Sequence, residues 1–520
     1  MRPLFNILYK TPLIIILHIY RLNRIQRIVS LGEEDARING RALKEAVIAE
    51  VDQGEQAVFE EELAKRFAVF RLQPLVRHDV RENAALSQEL GNKIVKMLFP
   101  SGTAPVLSFG GAALGVLPFI PVGGMVISSL FRHWGTPSNT PMAITSGDGP
   151  IKNWAGTPSD CLGALIEYNP DKINRMEERK YHCYSCPLGC GGTLKVSGNP
   201  YMEDGHTHKP EYETINCFGP LLLNNDLDSV ICINELLNRG GMDSISAGNT
   251  VAWAIECFEN GILTPEQTDG LELRWGNTEA IVGLVRRMVE REGFGDALAD
   301  GVMRASEKFG GKEYAMHVGG QEPGMHDSRN DPQLAVHYAA DPAPGKHTVG
   351  MSIQYGALDL SDICSWAPKA SVHTKKRALI PNEENALISK ANACYSMATD
   401  GAGGCYYGEM MGANNWRLVE YLNAAAGWQY NGDHYMEIGE RIQTLKQMFN
   451  VKHGIEPKDI RLPKRMCGIP PLPGGPLKGV SLRNPEQVSL HWKAFGWDEK
   501  TGHPLPETIE RLGINELLEL

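Results

Sequence analysis

Three cysteines stand close together in this sequence, and a fourth follows far downstream. Cys183, Cys186 and Cys190 form a CxxCxxxC pattern within YHCYSCPLGCGG, and Cys405 ends the segment DGAGGC. Three thiolates from one tight loop, joined by one from elsewhere in the fold, suit a cubane iron–sulfur cluster. The glycines and the proline of the loop would keep its backbone turned and close to the metal. The pattern therefore predicts a 4Fe–4S cluster and electron transfer.

A structural zinc site is the main alternative for these four cysteines. Zinc sites are usually built from two CxxC pairs, whereas this chain offers three cysteines plus one, which favours a cluster. We expect the remaining cysteines to be buried free thiols of a reducing compartment. They are scattered singly, at Cys161, Cys217, Cys232, Cys257, Cys364, Cys394 and Cys467.

Length, composition and charge limit the kind of protein. At 520 residues, with 42% hydrophobic and 22% charged residues, the chain predicts a globular protein of several domains. A net charge of −11 argues against nucleic acid as a partner, because phosphates require clustered cations. The apolar run at 12–17 is too short to span a bilayer, and glycines and prolines interrupt the uncharged stretch at 101–131. We expect a cytoplasmic protein without a stable membrane span.

Helical periodicity dominates the elements that must position the cysteines. Apolar residues recur at spacings of three and four, and polar caps or glycines bound the repeats. Helices are predicted at 56–70, 82–98, 226–237, 249–259 and 278–291, and near 384–397 and 434–449. Residues 320–350 are predicted to be loop. The fold class that follows is predominantly α, with several domains.

Two short segments at predicted helix ends combine polar side chains with glycines. One runs from Asp400 to Cys405 in the form DxxGxC, and the other from Asn238 to Asp243 in the form NxxGxD. Either alone is typical of helix capping. Together they predict two binding segments for a ligand that carries ring N–H donors and phosphates. Carboxylates accept hydrogen bonds from the ring N–H groups, and glycines let the backbone approach the ligand closely.

Longer phrases, in chain order, resemble the aldehyde ferredoxin oxidoreductase family of tungstopterin enzymes. They are CYSCPLGC, KPEYET…FGPLLLNND, NRGGMDSISAG, HVGGQEPGMHD and GWDEKTGHP, within about residues 145–515. The resemblance implies a bis-pterin cofactor with tungsten, or molybdenum, beside the 4Fe–4S cluster. It also implies two helical domains, at 146–330 and 331–520. The family's β-rich domain that covers the pterins has no recognisable counterpart, so 1–145 is interpreted as a truncated or atypical N-terminal region.

The resemblance assigns roles to individual residues. The matches to the cluster ligands are Cys183, Cys186, Cys190 and Cys405, the last of which would also link cluster and pterin. The matches to the two pterin-binding segments are Asn238, Met242, Asp243, Asp400 and Gly404. Asn238 stands where the family usually has aspartate, so that position keeps a hydrogen-bond acceptor and loses a charge.

Two further residues match positions that the family places beside the metal. Glu213 would accept a proton when an oxygen attacks the substrate carbon, and His347 would donate a hydrogen bond to the carbonyl oxygen. The alternatives are that Glu213 caps a helix and that His347 is an ordinary loop histidine. His326 is a weaker candidate for the same pocket and is interpreted as structural.

The resemblance implies an oxidoreductase that acts on an aldehyde/carboxylate couple. Electrons would pass through the cluster to ferredoxin or to an iron–sulfur partner subunit, and a homodimer is allowed. The phrases GDGPIKNWAG and HKPEYET are similar to the branch that includes the tungsten subunit of class II benzoyl-CoA reductase, so an aryl-CoA reductase is the first alternative. The second alternative is a truncated paralogue with only an electron-transfer or structural role.

Overall fold

The computed structural model describes residues 123–184, 186, 188–352, 355, 359–370, 375–411 and 418–515. The helices predicted at 56–70 and 82–98 lie outside these residues, as does most of the uncharged stretch at 101–131. The described residues fall into two compact units. A small unit contains residues 182–184, 186, 188 and 418–430, and a large unit contains the rest.

Helices make up most of the described chain, which confirms the predominantly α fold class. The helices up to residue 320 are α1 (Gly123–Trp134), α2 (Thr140–Ser146), α3 (Leu162–Glu167), α4 (Pro170–Met176), α5 (Tyr212–Phe218), α6 (Leu227–Gly240), α7 (Ser244–Glu259), α8 (Thr278–Glu290), α9 (Gly293–Leu298) and α10 (Val302–Phe309). Those that follow are α11 (Pro332–Ala340), α12 (Lys375–Ala378), α13 (Glu383–Gly401), α14 (Tyr406–Met411), α15 (Leu418–Ala426), α16 (Gly432–Lys452), α17 (Asn484–Ala494) and α18 (Pro506–Arg511).

Local capping residues set the ends of the helices that the sequence predicted. Helix α6 begins where the Asp226 carboxylate accepts from the Ser229 amide at 3.0 Å, and it ends at Gly241, whose φ is +66°. Helix α8 begins at the Asn277 cap and ends before Arg291. The predictions at 226–237 and 278–291 are therefore confirmed, as are those near 384–397 and 434–449, where α13 and α16 lie.

Two boundaries in the predicted pattern are wrong. Helix α7 begins at Ser244 rather than Asn249, because Asp243 caps it by accepting from the Ser246 amide at 2.8 Å. The stretch at 320–350 is not all loop, because α11 begins after the Asp331 cap with Pro332 in its first turn. All nine residues of α11 are buried, including the polar Gln333 and His337, so no exposed, charged face marks the helix in the sequence.

The large unit contains a small antiparallel sheet in the order β1-β2-β3, whose first two strands flank the cysteine segment in the sequence. Its strands are β1 (Glu177–Tyr181), β2 (Gly191–Val196) and β3 (Gly205–His208). Tyr181 pairs with Gly191, and Thr193 pairs with His208. The sequence analysis predicted no strand here and missed the sheet. The strand pairing holds the two ends of the cysteine-bearing connection at one edge of the large unit.

Helices α13 and α16 pack closely, and α17 packs against α13. The close approach depends on Gly439 of α16, since a Cβ there would overlap the Cys394 carbonyl group of α13. Helix α13 continues into the Asp400–Cys405 segment, so this helix pair positions that segment. None of the helices in the described part of the chain combines the length and apolar character needed to cross a bilayer.

The small unit consists of the cysteine segment and α15 with the turn that follows it. The Asn423 side chain closes this turn by donating to the Tyr430 carbonyl at 2.7 Å and accepting from the Tyr430 amide at 3.1 Å. The rings of Trp428 and Tyr430 stack with centroids 5.2 Å apart. The polar closure and the ring stacking together fix the shape of this turn.

Candidate active site

Cys183 and Cys186, two of the predicted cluster ligands, lie in the small unit just after β1. The Cys186 amide donates to the Cys183 carbonyl at 3.0 Å, which closes a tight turn between them. The Cys186 carbonyl lies 3.1 Å from His182 Nδ1. The local backbone is thus curled in the way a CxxC ligand pair requires.

Cys190 and Cys405, the other two predicted ligands, lie in the large unit. Cys190 directly precedes β2, after Gly189 with φ +63°. Cys405 follows the end of α13 and directly precedes α14. Both thiols, together with Glu211 and Glu213, act electrostatically on Tyr407, whose pKa is raised first by burial and then by these groups. The fold therefore brings these two thiols close to one tyrosine.

Exposure separates the four predicted ligands from the other cysteines. Cys183 and Cys405 are exposed, and Cys186 and Cys190 are half-buried. The seven remaining cysteines are all buried and free, which confirms the expected burial and lack of disulfides. Burial raises the pKa of several of them, including that of Cys161 to about 12, so they are protonated and unreactive. Among the eleven cysteines, only those at the four predicted ligand positions are accessible to solvent.

The first predicted pterin segment forms the corner between α6 and α7. Asn238 lies exposed in the last turn of α6, and Gly241 and Met242 both donate their amides to the Leu237 carbonyl. Asp243 then caps α7. Capping accounts for one Asp243 oxygen only, because the Ser246 amide binds Oδ1. The second oxygen remains available to a ligand.

Two cavities meet at this corner. A cavity of about 330 Å³ is lined by Asn238, Asp243 and Glu213, with Lys209 in its wall. A second cavity, of about 880 Å³, is lined by Met242 and again by Asp243. Asp243 thus borders both spaces, and acceptors from the predicted pterin segment and Glu213 open onto the first. The residues present fit a polar ring ligand at this position.

The second predicted pterin segment is the turn at the end of α13. The Gly404 amide donates to the Thr399 carbonyl at 2.8 Å, and Gly403 takes a φ of +72° to make the turn. Asp400 forms an ion pair with Lys346 at 3.2 Å. Lys346 directly precedes His347, so this ion pair ties the second segment to the loop that carries the predicted catalytic histidine.

Glu213, His326 and His347 form one cluster. One carboxylate oxygen of Glu213 and one ring nitrogen of each histidine all lie within 4.8 Å of one another. Glu213 Oε1 lies 3.3 Å from His347 Nε2 and 3.4 Å from His326 Nε2. Glu213 Oε2 accepts from the Met325 amide at 2.7 Å. The two imidazole rings stack with centroids 5.5 Å apart. The cluster therefore presents one carboxylate oxygen to two imidazole nitrogens.

The backbone leaves room for this cluster through Gly324. A Cβ at that position would lie 2.5 Å from His347 Nδ1. Behind His326, the Asp148 carboxylate binds His326 Nδ1 at 2.7 Å. Asp148 follows Gly147, the left-handed residue that ends α2. Neither Gly324 nor Asp148 was predicted, and they extend the cluster beyond the residues that the family resemblance implied.

Burial and neighbouring charges set opposite protonation states within the cluster. Burial raises the pKa of Glu213, but His347, His326 and the Met325 amide more than offset this and lower it to about 2. Burial lowers the pKa of His326, but Asp148 and Glu213 prevail and raise it to about 10. Burial lowers the pKa of His347, against an opposing effect of Glu213. At neutral pH Glu213 is ionised, His326 is an imidazolium and His347 is neutral.

The structure thus brings some of the predicted site residues together and leaves others apart. Glu213 and His347 lie together, and Glu213 shares a cavity with Asn238 and Asp243. The cysteines divide between the two units, as described above. His326, the weaker candidate for the same pocket, lies in this cluster as well. A signal for its partner was present in the GDG segment, where an acidic residue stands between two glycines.

Comparison with known families gives one match over most of the chain. The family model described as "Aldehyde ferredoxin oxidoreductase, domains 2 & 3" matches residues 124–514. The tungsten-containing aldehyde ferredoxin oxidoreductase of Pyrococcus furiosus is 35% identical over 345 residues, which cover 65% of this chain and 53% of that protein. The protein of the same name from Thermococcus kodakarensis is 35% identical over 347 residues, with the same coverage.

Two further similarities are more distant. The aliphatic sulfonate oxidoreductase, WOR-like subunit, of Pyrococcus furiosus is 28% identical over 404 residues, covering 74% of this chain and 58% of that protein. The active-site complex BamBC of benzoyl coenzyme A reductase with 1,5-dienoyl-CoA has a chain of similar fold, with a TM-score of 0.55 and 20% identity over 73% of this chain and 60% of that one. The chain spans about half the length of the curated relatives it matches.

Proposed function

The chain belongs to the aldehyde ferredoxin oxidoreductase family, and on that premise we propose that it is a bis-pterin oxidoreductase with tungsten or molybdenum, acting on an aldehyde/carboxylate couple. The observation that carries the proposal is the cavity of about 330 Å³ shared by Glu213 and the first pterin segment, Asn238 and Asp243. A carboxylate that can exchange protons thus lies beside residues suited to hold the cofactor.

The proposal gives each group of residues one task. Asn238, Met242, Asp243, Asp400 and Gly404 would hold the pterins, and Cys183, Cys186, Cys190 and Cys405 would hold the 4Fe–4S cluster. When bound, these groups supply a metal centre for two-electron exchange with the substrate and a one-electron path away from it.

Glu213 and His347 would carry out the proton chemistry. Glu213 is ionised across the physiological range and is anchored through Oε2 to the Met325 amide, so Oε1 is the oxygen left to accept a proton. His347 is neutral there, and its imidazole N–H can donate to the carbonyl oxygen of the substrate. Both side chains are at most one-fifth exposed, which limits competition from water.

An electron carrier completes the proposal. Cys183 and Cys405 are exposed, so a cluster held by them would lie within reach of a partner protein. We propose ferredoxin or an iron–sulfur subunit for that partner. The domain division at 146–330 and 331–520, a homodimer and a cytoplasmic location belong to the same proposal.

Metal analysis of anaerobically purified protein tests the proposal. We expect about four irons per chain, as one cubane requires, together with tungsten or molybdenum and pterin, and aldehyde oxidation coupled to a one-electron dye. Cys190→Ala should lose the iron, while the matched control Cys161→Ala, which removes a buried thiol, should retain it. Iron without tungsten or pterin would instead support an electron-transfer paralogue, and zinc alone would contradict both.

An aryl-CoA reductase is the second candidate. Its support is the similarity of fold to a chain of the BamBC complex, together with the phrases GDGPIKNWAG and HKPEYET. The two candidates differ in substrate and direction. Loaded protein that reduces benzoyl-CoA with a low-potential donor, and leaves simple aldehydes unoxidised, would favour this second function over the first.

A further inference from the structure

Asp148 and His326 form a buried pair that the proposed chemistry does not yet use. Asp148 Oδ2 lies 2.7 Å from His326 Nδ1, and the two side chains are only 13% and 10% exposed. The partners are 178 residues apart in the sequence, so the contact exists only in the folded chain. A carboxylate in this position fixes the imidazole tautomer by accepting the Nδ1 proton.

Asp148 is itself held firmly. Its second carboxylate oxygen accepts from the Asn330 side chain at 3.1 Å. Its main-chain carbonyl accepts from the Asp327 amide at 2.5 Å, next in sequence to His326. Two hydrogen bonds from residues that follow His326 therefore tie the loop after α2 to the segment that carries this histidine. This arrangement restrains His326 more than a single surface ion pair would.

The second ring nitrogen of His326 is directed at Glu213, the proposed proton acceptor. His326 Nε2 lies 3.4 Å from Glu213 Oε1, an oxygen that is buried and makes no conventional hydrogen bond. The ring is held between Tyr212, with centroids 5.1 Å apart, and His347, with centroids 5.5 Å apart. The ring thus has one nitrogen bound to Asp148 and the other directed at Glu213.

Ionisable groups from several neighbouring segments surround His326. Asp148 and Glu213 are the carboxylates, Tyr212 packs on the ring, and Tyr338 donates its hydroxyl to the His326 carbonyl at 3.0 Å. On the remaining side His347 is neutral, since burial lowers its pKa. Two acidic neighbours, Asp148 and Glu213, favour the imidazolium form of His326.

We propose that Asp148 and His326 are positioning residues for proton transfer at Glu213. Asp148 fixes the Nδ1 proton of His326, and the charged ring then holds the Glu213 carboxylate ionised and aimed through Oε1. This inference rests on the proposed function of Glu213 as proton acceptor. It assigns a role to a residue pair that the family resemblance did not predict, and it makes the basicity of Glu213 depend on a charge set by Asp148.

Histidine titration in the full-length protein tests this assignment directly. Protein labelled with ¹⁵N and ¹³C in histidine is followed by NMR, and the Asp148→Asn variant keeps the shape of the side chain while removing its charge. The His326 signal in the wild-type protein should remain that of an imidazolium to about pH 9, and Asp148→Asn should lower its midpoint by more than about one pH unit. Glu456→Gln is the matched control, since Glu456 binds His503 at 2.9 Å outside the cluster.

Activity supplies a second readout. Positioning requires the charged form of His326, which persists below its pKa. The kcat/KM of Asp148→Asn should therefore fall about tenfold or more as pH rises through the lowered His326 midpoint, while Glu456→Gln should keep the wild-type profile. If Asp148→Asn does not fold, the wild-type His326 titration still tests the proposal, because a neutral His326 at pH 7 would overturn it.

Three outcomes would overturn the inference. One is a neutral His326 at pH 7 in wild-type protein, and another is an unchanged midpoint in Asp148→Asn. The third is a stoichiometric divalent metal bound by Glu213, His326 and His347, because a metal-bound Nε2 cannot carry the proton. Failure of the proposed function is distinguishable: protein without pterin or aldehyde oxidation would still give the His326 titration, whereas an active enzyme with an unaltered titration would reject only the role of Asp148 and His326.

Discussion

Replacing Gly439 by alanine should force helices α13 and α16 apart. The carbonyl carbon of Cys394 would lie 2.5 Å from the new Cβ, which is 0.9 Å inside the 3.4 Å at which ordinary van der Waals contact begins. The overlap is with helix backbone, which cannot rotate away as a flexible side chain can. The carbonyl oxygen of Cys394 would lie closer still to the new Cβ, so the two helices must separate by more than about an ångström or distort.

The expected cost follows from this overlap. Overpacking of a close-packed interior costs about 1–3 kcal/mol. Alanine also has a higher helix propensity than glycine, by about 1 kcal/mol, which acts in the opposite direction. Gly283→Ala isolates the two effects, because Gly283 lies inside α8 and its added Cβ would meet only Leu271 at 3.5 Å. The difference in unfolding free energy between Gly439→Ala and Gly283→Ala should then be about 1–3 kcal/mol.

Denaturant unfolding of the full-length variants measures this difference. Gly439→Ala should unfold at a lower midpoint than Gly283→Ala, with a similar dependence on denaturant concentration. Because α13 leads to Cys405, Gly439→Ala should also bind less iron when the cluster is assembled. Equal midpoints for the two alanine variants would refute the argument that Gly439 is what permits the close crossing of α13 and α16.

Three further predictions concern the cluster and its link to the second pterin segment. The pKa of His326 is raised from 6.5 to about 10, so its charged form should contribute up to about 5 kcal/mol to the free energy of unfolding. This contribution should be complete below pH 6.5 and lost as pH rises towards 10. Denaturant titrations at stepped pH should show this loss in the wild-type protein and not in His326→Gln. Gly324→Ala should displace His347 and lower kcat about 10- to 100-fold in the loaded enzyme, with unchanged iron content, and full activity would exclude His347 from catalysis. Lys346→Ala should cost less than about 1 kcal/mol, because its ion pair with Asp400 is 37% and 53% exposed, and a larger loss in the same titration would contradict this.

The sequence predicted helices where local signals and tertiary packing agree. The Asp226 cap and the Gly240-Gly241 end enclose an amphipathic repeat, and α6 occupies that stretch. Helix α11 escaped prediction because it is buried on all sides, its polar Gln333 and His337 included, so no exposed face of charged residues marks its helical period. The sheet escaped because its strands are only four to six residues long and two of them begin with glycine. Short strands and buried helices are set by neighbours that are distant in sequence.

The residues of the candidate site also divide into those that the sequence could predict and those that it could not. Glu213 and His347 could be proposed because both match positions that the family places beside the metal. The pair of Asp148 and His326 could not, because nothing in either local segment indicates that the two meet across 178 residues. Its physical consequence, an imidazolium in a buried site, depends on a carboxylate on each side of the ring. Such charge states follow from three-dimensional contacts and not from residue type.

These observations connect the packing of α13 with the chemistry of the cluster. Helix α13 ends at the second pterin segment, and Asp400 in its last turn pairs with Lys346, whose neighbour His347 lies against Glu213. A displacement of α13 would therefore reach the proton-exchanging cluster and Cys405 together. The exposed Asp400 ion pair is too weak to transmit such a displacement by itself, so the buried crossing at Gly439 must hold the geometry. Since that crossing is close-packed backbone against backbone, we expect helix packing, more than surface charge, to set the alignment of pterin segment and proton acceptor.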